Sequence, residues 1–187
     1  MGQHRNNERR GRALNVLGHM YQSGEGVSRD FQKAVKCFRE AAELGDMNSQ
    51  YRLGLIYQRG DEVIRNMNEA IKWFSKAAQQ GHKKAQYSLG VLFEKGMGIT
   101  QDHREAEKWK LKAAEQGEAR AQNHFGVKFA KGEGVQKDYK TAFMWLQLAA
   151  TQGNRPARKN ISILTEKMTP KQIAEAKQLI HEWKPKA

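Results

Sequence analysis

Glycine returns at a fixed interval along this chain: Gly18, Gly54, Gly90 and Gly126 are each 36 residues apart. The same interval carries Gly45, Gly81, Gly117 and Gly153, the pairs Ala41/Ala42, Ala77/Ala78, Ala113/Ala114 and Ala149/Ala150, and the aromatics Trp73, Trp109 and Trp145. A period of this length marks a repeat architecture, in which each unit is one supersecondary element that buries its apolar face only by stacking on its neighbours. The 187 residues are therefore expected to form a solenoid rather than a globule around one central core. Its hydrophobic fraction of 39%, much of it alanine, and its three prolines suit small, closely packed helices.

Each unit divides into two helices. In the second unit Ser49, Leu53 and Tyr57 fall at i, i+4 and i+8, with Ala85/Leu89/Phe93 and Ala121/Phe125/Phe129 as counterparts, one apolar stripe of a first helix. Gly54 and its equivalents sit beside that stripe in mid-helix, where glycine costs about 1 kcal/mol relative to alanine. Their recurrence predicts a neighbour too close for a Cβ, the second helix of the same hairpin.

That second helix opens after Asp30, Asn66, Asp102 and Asp138, all good N-caps, with Asn66/Glu69 and Asp102/Glu105 spaced as capping boxes. It stops at Gly45 and its equivalents, where glycine takes the left-handed conformation. The connection inside the hairpin reads Gly24-Glu25-Gly26-Val27, Gly96-Met97-Gly98-Ile99 and Gly132-Glu133-Gly134-Val135, with Glu62 replacing the second glycine in the second unit.

These stretches, above all Ala85-Gln86-Tyr87-Ser88-Leu89-Gly90-Val91-Leu92-Phe93-Glu94-Lys95-Gly96 and Ala106-Glu107-Lys108-Trp109-Lys110-Leu111-Lys112-Ala113-Ala114-Glu115-Gln116-Gly117, resemble the Sel-one-like repeat (SLR) family, relatives of the tetratricopeptide repeat. The resemblance covers about residues 12–165. It implies an all-α fold, a right-handed α/α superhelix of antiparallel helix hairpins, serving as a non-enzymatic scaffold or adaptor for protein–protein contacts. Some bacterial members act as antidotes that block a toxin, an alternative the resemblance leaves open. Other members staple each hairpin with a cysteine pair; here Cys37 is the only cysteine and stands in the slot that holds tryptophan elsewhere.

The resulting division has a flexible basic N-terminus over 1–11, a solenoid over 12–167 made of four hairpins plus a fifth first-type helix, and a C-terminal capping helix and tail over 168–187. In the fifth helix, roughly Pro156 to Lys167, Ala157 and Ile161 keep register. Thr169 as N-cap and Pro170 at the first helical position then start a last helix with Ile173, Ala176, Leu179, Ile180 and Trp183 on its buried side.

No catalytic constellation emerges. The Gly-x-Gly loops follow helices and lack a Walker lysine-serine pair, so they read as structural. The six histidines include no pair at i, i+4 around a glutamate, which argues against a metal site, and no cofactor is expected. Glu105 and Glu107, two apart on a helix, read as a solvated face. Trp73, Trp109 and Trp145 read as one core slot.

The balance of 33 Lys+Arg against 20 Asp+Glu, a formal charge of +13, points to an acidic protein, nucleic acid or anionic surface as partner. Projected at 100° per residue, the first helices turn one register away from the apolar stripe. It holds Arg12, Val16 and Ser23; Asn48, Arg52 and Arg59; Lys84, Ser88 and Lys95; Arg120, His124 and Lys131; and Pro156, Asn160 and Lys167. Eight are Lys or Arg and none is acidic.

In solenoids of this type the first helices line the concave surface. Arg12, Arg52, Arg59, Lys84, Lys95, Arg120, His124, Lys131 and Lys167 are therefore the candidate partner-binding residues, gripping an acidic protein segment. RNA is the competing partner, with Tyr51 and Tyr87 the candidate stacking aromatics on the first helices. No apolar run is long enough to span a bilayer. The expected state is a cytoplasmic monomer, or a periplasmic or secreted one if a signal peptide precedes this sequence.

Overall fold

The computed structural model describes residues 2–60 and 63–186. Among them are ten α-helices and no strand. They are α1 (Gly2–Ser23), α2 (Phe31–Glu43), α3 (Met47–Arg59), α4 (Met67–Gln79), α5 (Lys83–Lys95), α6 (His103–Glu115), α7 (Ala119–Lys131), α8 (Tyr139–Thr151), α9 (Arg155–Thr165) and α10 (Pro170–Glu182). No described helix is long and apolar enough to cross a membrane. The chain divides into two compact units, residues 1–106 and 107–187. In the first, α1 packs on α2, α2 on α3, α3 on α4 and α4 on α5; in the second, α7 packs on α8 and α8 on both α9 and α10.

The second helices begin where the capping residues place them. Asp30 accepts from the Lys33 N–H, Asn66 from Glu69, Asp102 from Arg104 and Glu105, and Asp138 from Lys140 and Thr141. The reciprocal half of the Asn66/Glu69 box is not made: the Glu69 carboxylate turns to the Trp73 indole N–H at 3.0 Å and to Lys72 at 2.9 Å. A complete capping box occurs at Thr169/Gln172. First helices have caps of their own one register earlier, from Asp46, His82, Glu118 and Asn154.

The hairpin loops are structural devices. Gly24, Gly26, Gly96, Gly98, Gly132 and Gly134 all have positive φ. Each loop is closed by the N–H of the following cap residue, donated nine residues back to an aromatic carbonyl: Asp30 to Tyr21, Asn66 to Tyr57, Asp102 to Phe93 and Asp138 to Phe129. Glu62 lies outside the described residues.

A polar ladder, not anticipated from the sequence, ties each hairpin to the next helix. The buried amides of Gln50, Gln86 and Gln122 donate to the carbonyls of Ala42, Ala78 and Ala114. These carbonyls lie in the last turn of a helix, where the i+4 backbone donor is missing, and each also accepts from the N–H of Gly45, Gly81 or Gly117. Gln80 and Gln152 donate in turn to Gln50 and Gln122 at 2.7 and 2.8 Å.

Both termini carry helix. Residues 2–11 form the first turns of α1. No proline interrupts them, and their glycine at position 11 is buried beside Leu44 and Asp46 rather than breaking the helix. At the other end α10 buries Ala176 and packs Ile173 and Ile180 on the core of α8, and Trp183 meets Trp145 edge-on with centroids 6.3 Å apart. Leu179, expected on that buried side, is 36% exposed. It lies three residues past Ala176, and α10 meets α8 along the narrower line through Ile173, Ala176 and Ile180.

The recurring mid-helix glycines are where hairpins close. A Cβ on Gly18 would lie 2.7 Å from Phe38, one on Gly54 2.5 Å from Phe74 and one on Gly126 2.5 Å from Leu146, all side chains of the partner helix. Phe74 is fully buried, so it cannot swing aside. Gly54→Ala should therefore lower stability by about 1–3 kcal/mol in urea denaturation, despite the helix propensity gained. An unchanged or raised midpoint would show that the hairpin does not depend on this contact.

Candidate binding face

The first helices present their basic register in two different states. In the first unit Arg12, Lys84 and Lys95 are exposed and pair with no carboxylate among the described residues, and Arg59 at the end of α3 is likewise exposed. Arg52 is half-buried. Its guanidinium lies 3.4 Å from His19 Nδ1 on α1 and 5.9 Å from the Phe38 ring centroid. Burial, and then the Arg52 charge, hold the His19 pKa below its ordinary value, so at neutral pH the imidazole is uncharged and its Nδ1 accepts from arginine. Arg52 thus packs two first helices together as well as facing outward.

In the second unit the register is partly neutralised from within. Arg120 Nε donates to Glu118 at 2.8 Å, and Lys131 pairs with Glu133 at 3.1 Å. His124 Nε2 lies 2.9 Å from Glu107 Oε1, whose other oxygen accepts from Lys128. Lys167 is exposed and has no carboxylate partner among the described residues.

Glu107 is therefore not the freely solvated residue its spacing suggested. Burial raises its pKa, but the hydrogen bonds and charges of Lys128 and His124 outweigh that and hold it below the ordinary carboxylate range. The position is unusual: its equivalents 36 residues either way are Ile71 and Phe143, and that of Lys128 is Leu92. Lys110, 1% exposed, likewise stands where Phe38, Phe74 and Leu146 pack in the other hairpins. A charge at a register that is otherwise apolar is the signal that could have revealed this polar insertion.

The aromatic slot is core: Cys37, Trp73 and Trp145 are buried, and Trp109 partly so. Tyr51, a candidate for base stacking, is already stacked on His82 with centroids 4.5 Å apart. His82 caps α5 by accepting from Ala85, and burial lowers its pKa. No group of three or more His, Cys, Asp or Glu among the described residues could hold a metal ion.

A family model described as the Sel1 repeat matches residues 11–46, 48–82, 83–118 and 119–154. The chain belongs to the Sel1-repeat family. A Sel1 repeat protein from Oxalobacter formigenes shares 35% identity at a TM-score of 0.72, over 82% of this chain and 61% of that one. The protective antigen c5321 of uropathogenic Escherichia coli, described as displaying an SLR fold, shares 29% identity at a TM-score of 0.63, over 92% and 45%. The immunity protein Pa5087 of Pseudomonas aeruginosa shares the fold at 24% identity and a TM-score of 0.55, over 92% and 66%. The chain thus spans 45–66% of the length of these structures. No curated protein matches it.

The polar insertion links the third Sel1 repeat, which holds Glu107, to the fourth, which holds His124 and Lys128. Because the Glu107 pKa is lowered in the folded state, its contribution is complete above the ordinary carboxylate value of 4.5 and is lost as pH falls through the lower folded value. Glu107→Gln should cost about 1 kcal/mol in urea denaturation at neutral pH, since the Lys128 ammonium loses its carboxylate and His124 loses a hydrogen-bond partner. The gap to the parent should narrow as pH falls through that lowered value. A gap that persists there would mean Glu107 acts through packing rather than charge.

Proposed function

We propose that this chain is a non-enzymatic interaction scaffold whose first-helix register binds an acidic segment of a partner protein. Proteins built of Sel1 repeats are in general protein-interaction scaffolds, and no group of three or more His, Cys, Asp or Glu among the described residues could hold a metal ion. The observation that carries the finer reading is the set of exposed cations at two recurring positions of the first helices, Arg12 with Lys84 and Arg59 with Lys95. Arg12, Lys84 and Lys95 pair with no carboxylate among the described residues, and solvated side chains of this kind lose little when they meet an incoming acidic residue. Arg120 and His124 must first exchange Glu118 and Glu107, whereas the Lys131–Glu133 pair is solvent-exposed.

This places the electrostatic weight of recognition on residues 12–95. Contacts of this kind steer association and weaken as salt screens them. RNA is the less favoured partner, because Tyr51 is occupied by His82 and base stacking is the usual complement to a basic surface.

The test is fluorescence anisotropy with a labelled Asp/Glu-rich peptide and a labelled single-stranded RNA. The peptide should bind, should weaken as salt rises from ~0.1 to ~0.5 M, and should lose at least about tenfold affinity in the variant Arg59→Glu/Lys84→Glu/Lys95→Glu. Peptide binding unchanged in that variant, or RNA bound in preference to peptide, would overturn the reading.

A further inference from the structure

The second unit contains a cleft of about 240 Å³ between α7, α8 and α9. Val127 and Ala130 of α7 and Ile163 and Leu164 of α9 line its apolar walls, Tyr139 and Leu146 of α8 its floor, and Lys131 and Lys167 stand at its rim.

Register explains why the cleft is open. In the first unit the Gly96–Ile99 loop of the third repeat closes over α4. Gly98 is so near that a Cβ would lie 2.9 Å from Met67 and 3.1 Å from Ile71. Two repeats later Tyr139 and Phe143 replace Met67 and Ile71, and the covering loop would be residues 168–171. Those residues are Met-Thr-Pro-Lys, without the Gly-x-Gly turn. Met168 turns into the core and Thr169-Pro170 starts α10, so Tyr139 stays half-exposed. Nearby Ile163 is 48% exposed, although its helix is otherwise amphipathic.

Size and charge select the occupant. Pockets for whole small molecules run to roughly 300–1,000 Å³. A cleft of 240 Å³ is smaller than that and fits one large side chain. Its two rim ammoniums favour carboxylates beside that side chain and disfavour a basic or wholly apolar ligand. Lys131 is held only by a solvent-exposed pair with Glu133, which contributes little and exchanges readily. Lys167 has no carboxylate partner among the described residues. Asn160, also lining the cleft, donates to Asn123 at 3.0 Å.

We propose that this cleft is an anchor pocket for a single apolar side chain of a partner peptide, flanked by acidic residues that meet Lys131 and Lys167. It rests on the acidic-segment reading above and adds to it a fixed point. The charged register gives reach, and the pocket sets which part of the segment lies at α7–α9. An apolar anchor in a desolvated pocket within a polar surround is the usual source of specificity at such surfaces.

The experiment compares two labelled peptides of equal length and charge, Asp/Glu-rich with a central Leu or a central Ala, titrated into the full chain by anisotropy. The Leu peptide should bind about tenfold more tightly. Ile163→Ser, at a half-exposed position that does not hold the core, should abolish that advantage and leave the Ala peptide's affinity as it was. Lys131→Ala/Lys167→Ala should weaken both peptides. In methyl NMR the Ile163 and Val127 signals should move with the Leu peptide and not with the Ala peptide. Equal affinities for the two peptides, with no methyl shifts, would overturn the pocket while leaving the acidic-segment reading intact. Failure of both peptides to bind would overturn the pocket and the acidic-segment reading together. Self-association lost on Ile163→Ser would assign the cleft to a second copy and also overturn the proposal.

Discussion

Contact between a glycine on one helix and a buried side chain on the next is the constraint from which the rest of this structure follows. Gly18 under Phe38, Gly54 under Phe74 and Gly126 under Leu146 let the two helices of a hairpin approach more closely than a Cβ would allow. Alanine pairs on the second helices keep the next approach short as well, with Ala41, Ala77, Ala113 and Ala149 fully buried. Close packing of small residues leaves little apolar surface per unit, so the hairpins bury their faces by stacking on one another. The polar Gln ladder works with that economy: short interhelical distances let Gln50, Gln86 and Gln122 reach helix-end carbonyls directly.

Periodicity made most of this legible. The caps at Asp30, Asn66, Asp102 and Asp138, the left-handed stops at Gly45, Gly81, Gly117 and Gly153, and the glycine contacts are all local or strictly repeated, and the repeated pattern points to each of them. What escaped it depends on pairs outside the pattern. Glu107 looks solvated on its own helix, and the side chains that engage it, His124 and Lys128, are on another. The N-terminal turns of α1 lack an apolar period, so the repeat pattern does not mark them as helix. The caps of the first helices went unread because Asp46, His82, Glu118 and Asn154 share a role and not a residue type. His82 in particular does not resemble a cap in sequence.

The basic register was visible as a pattern of residue types, whereas its division into committed and uncommitted cations was not. Carboxylates just outside the register, Glu107, Glu118 and Glu133, answer Arg120, His124 and Lys131, while Arg12, Lys84 and Lys95 remain solvated and without a carboxylate among the described residues. Formal charge alone does not separate these groups. The cost of exchanging an internal partner does, and it shifts the expected electrostatic contact toward the first unit. The apolar cleft at α7–α9 supplies what a purely charged surface lacks, a shape that distinguishes one acidic segment from another.

If a partner segment meets the first helices, an amide NMR titration of the full chain with an Asp/Glu-rich peptide will show it. Salt-sensitive shift changes should concentrate near Arg12, Arg59, Lys84 and Lys95, with the second helices α2, α4 and α8 quiet. Changes concentrated on those second helices, or shifts indifferent to salt, would contradict it.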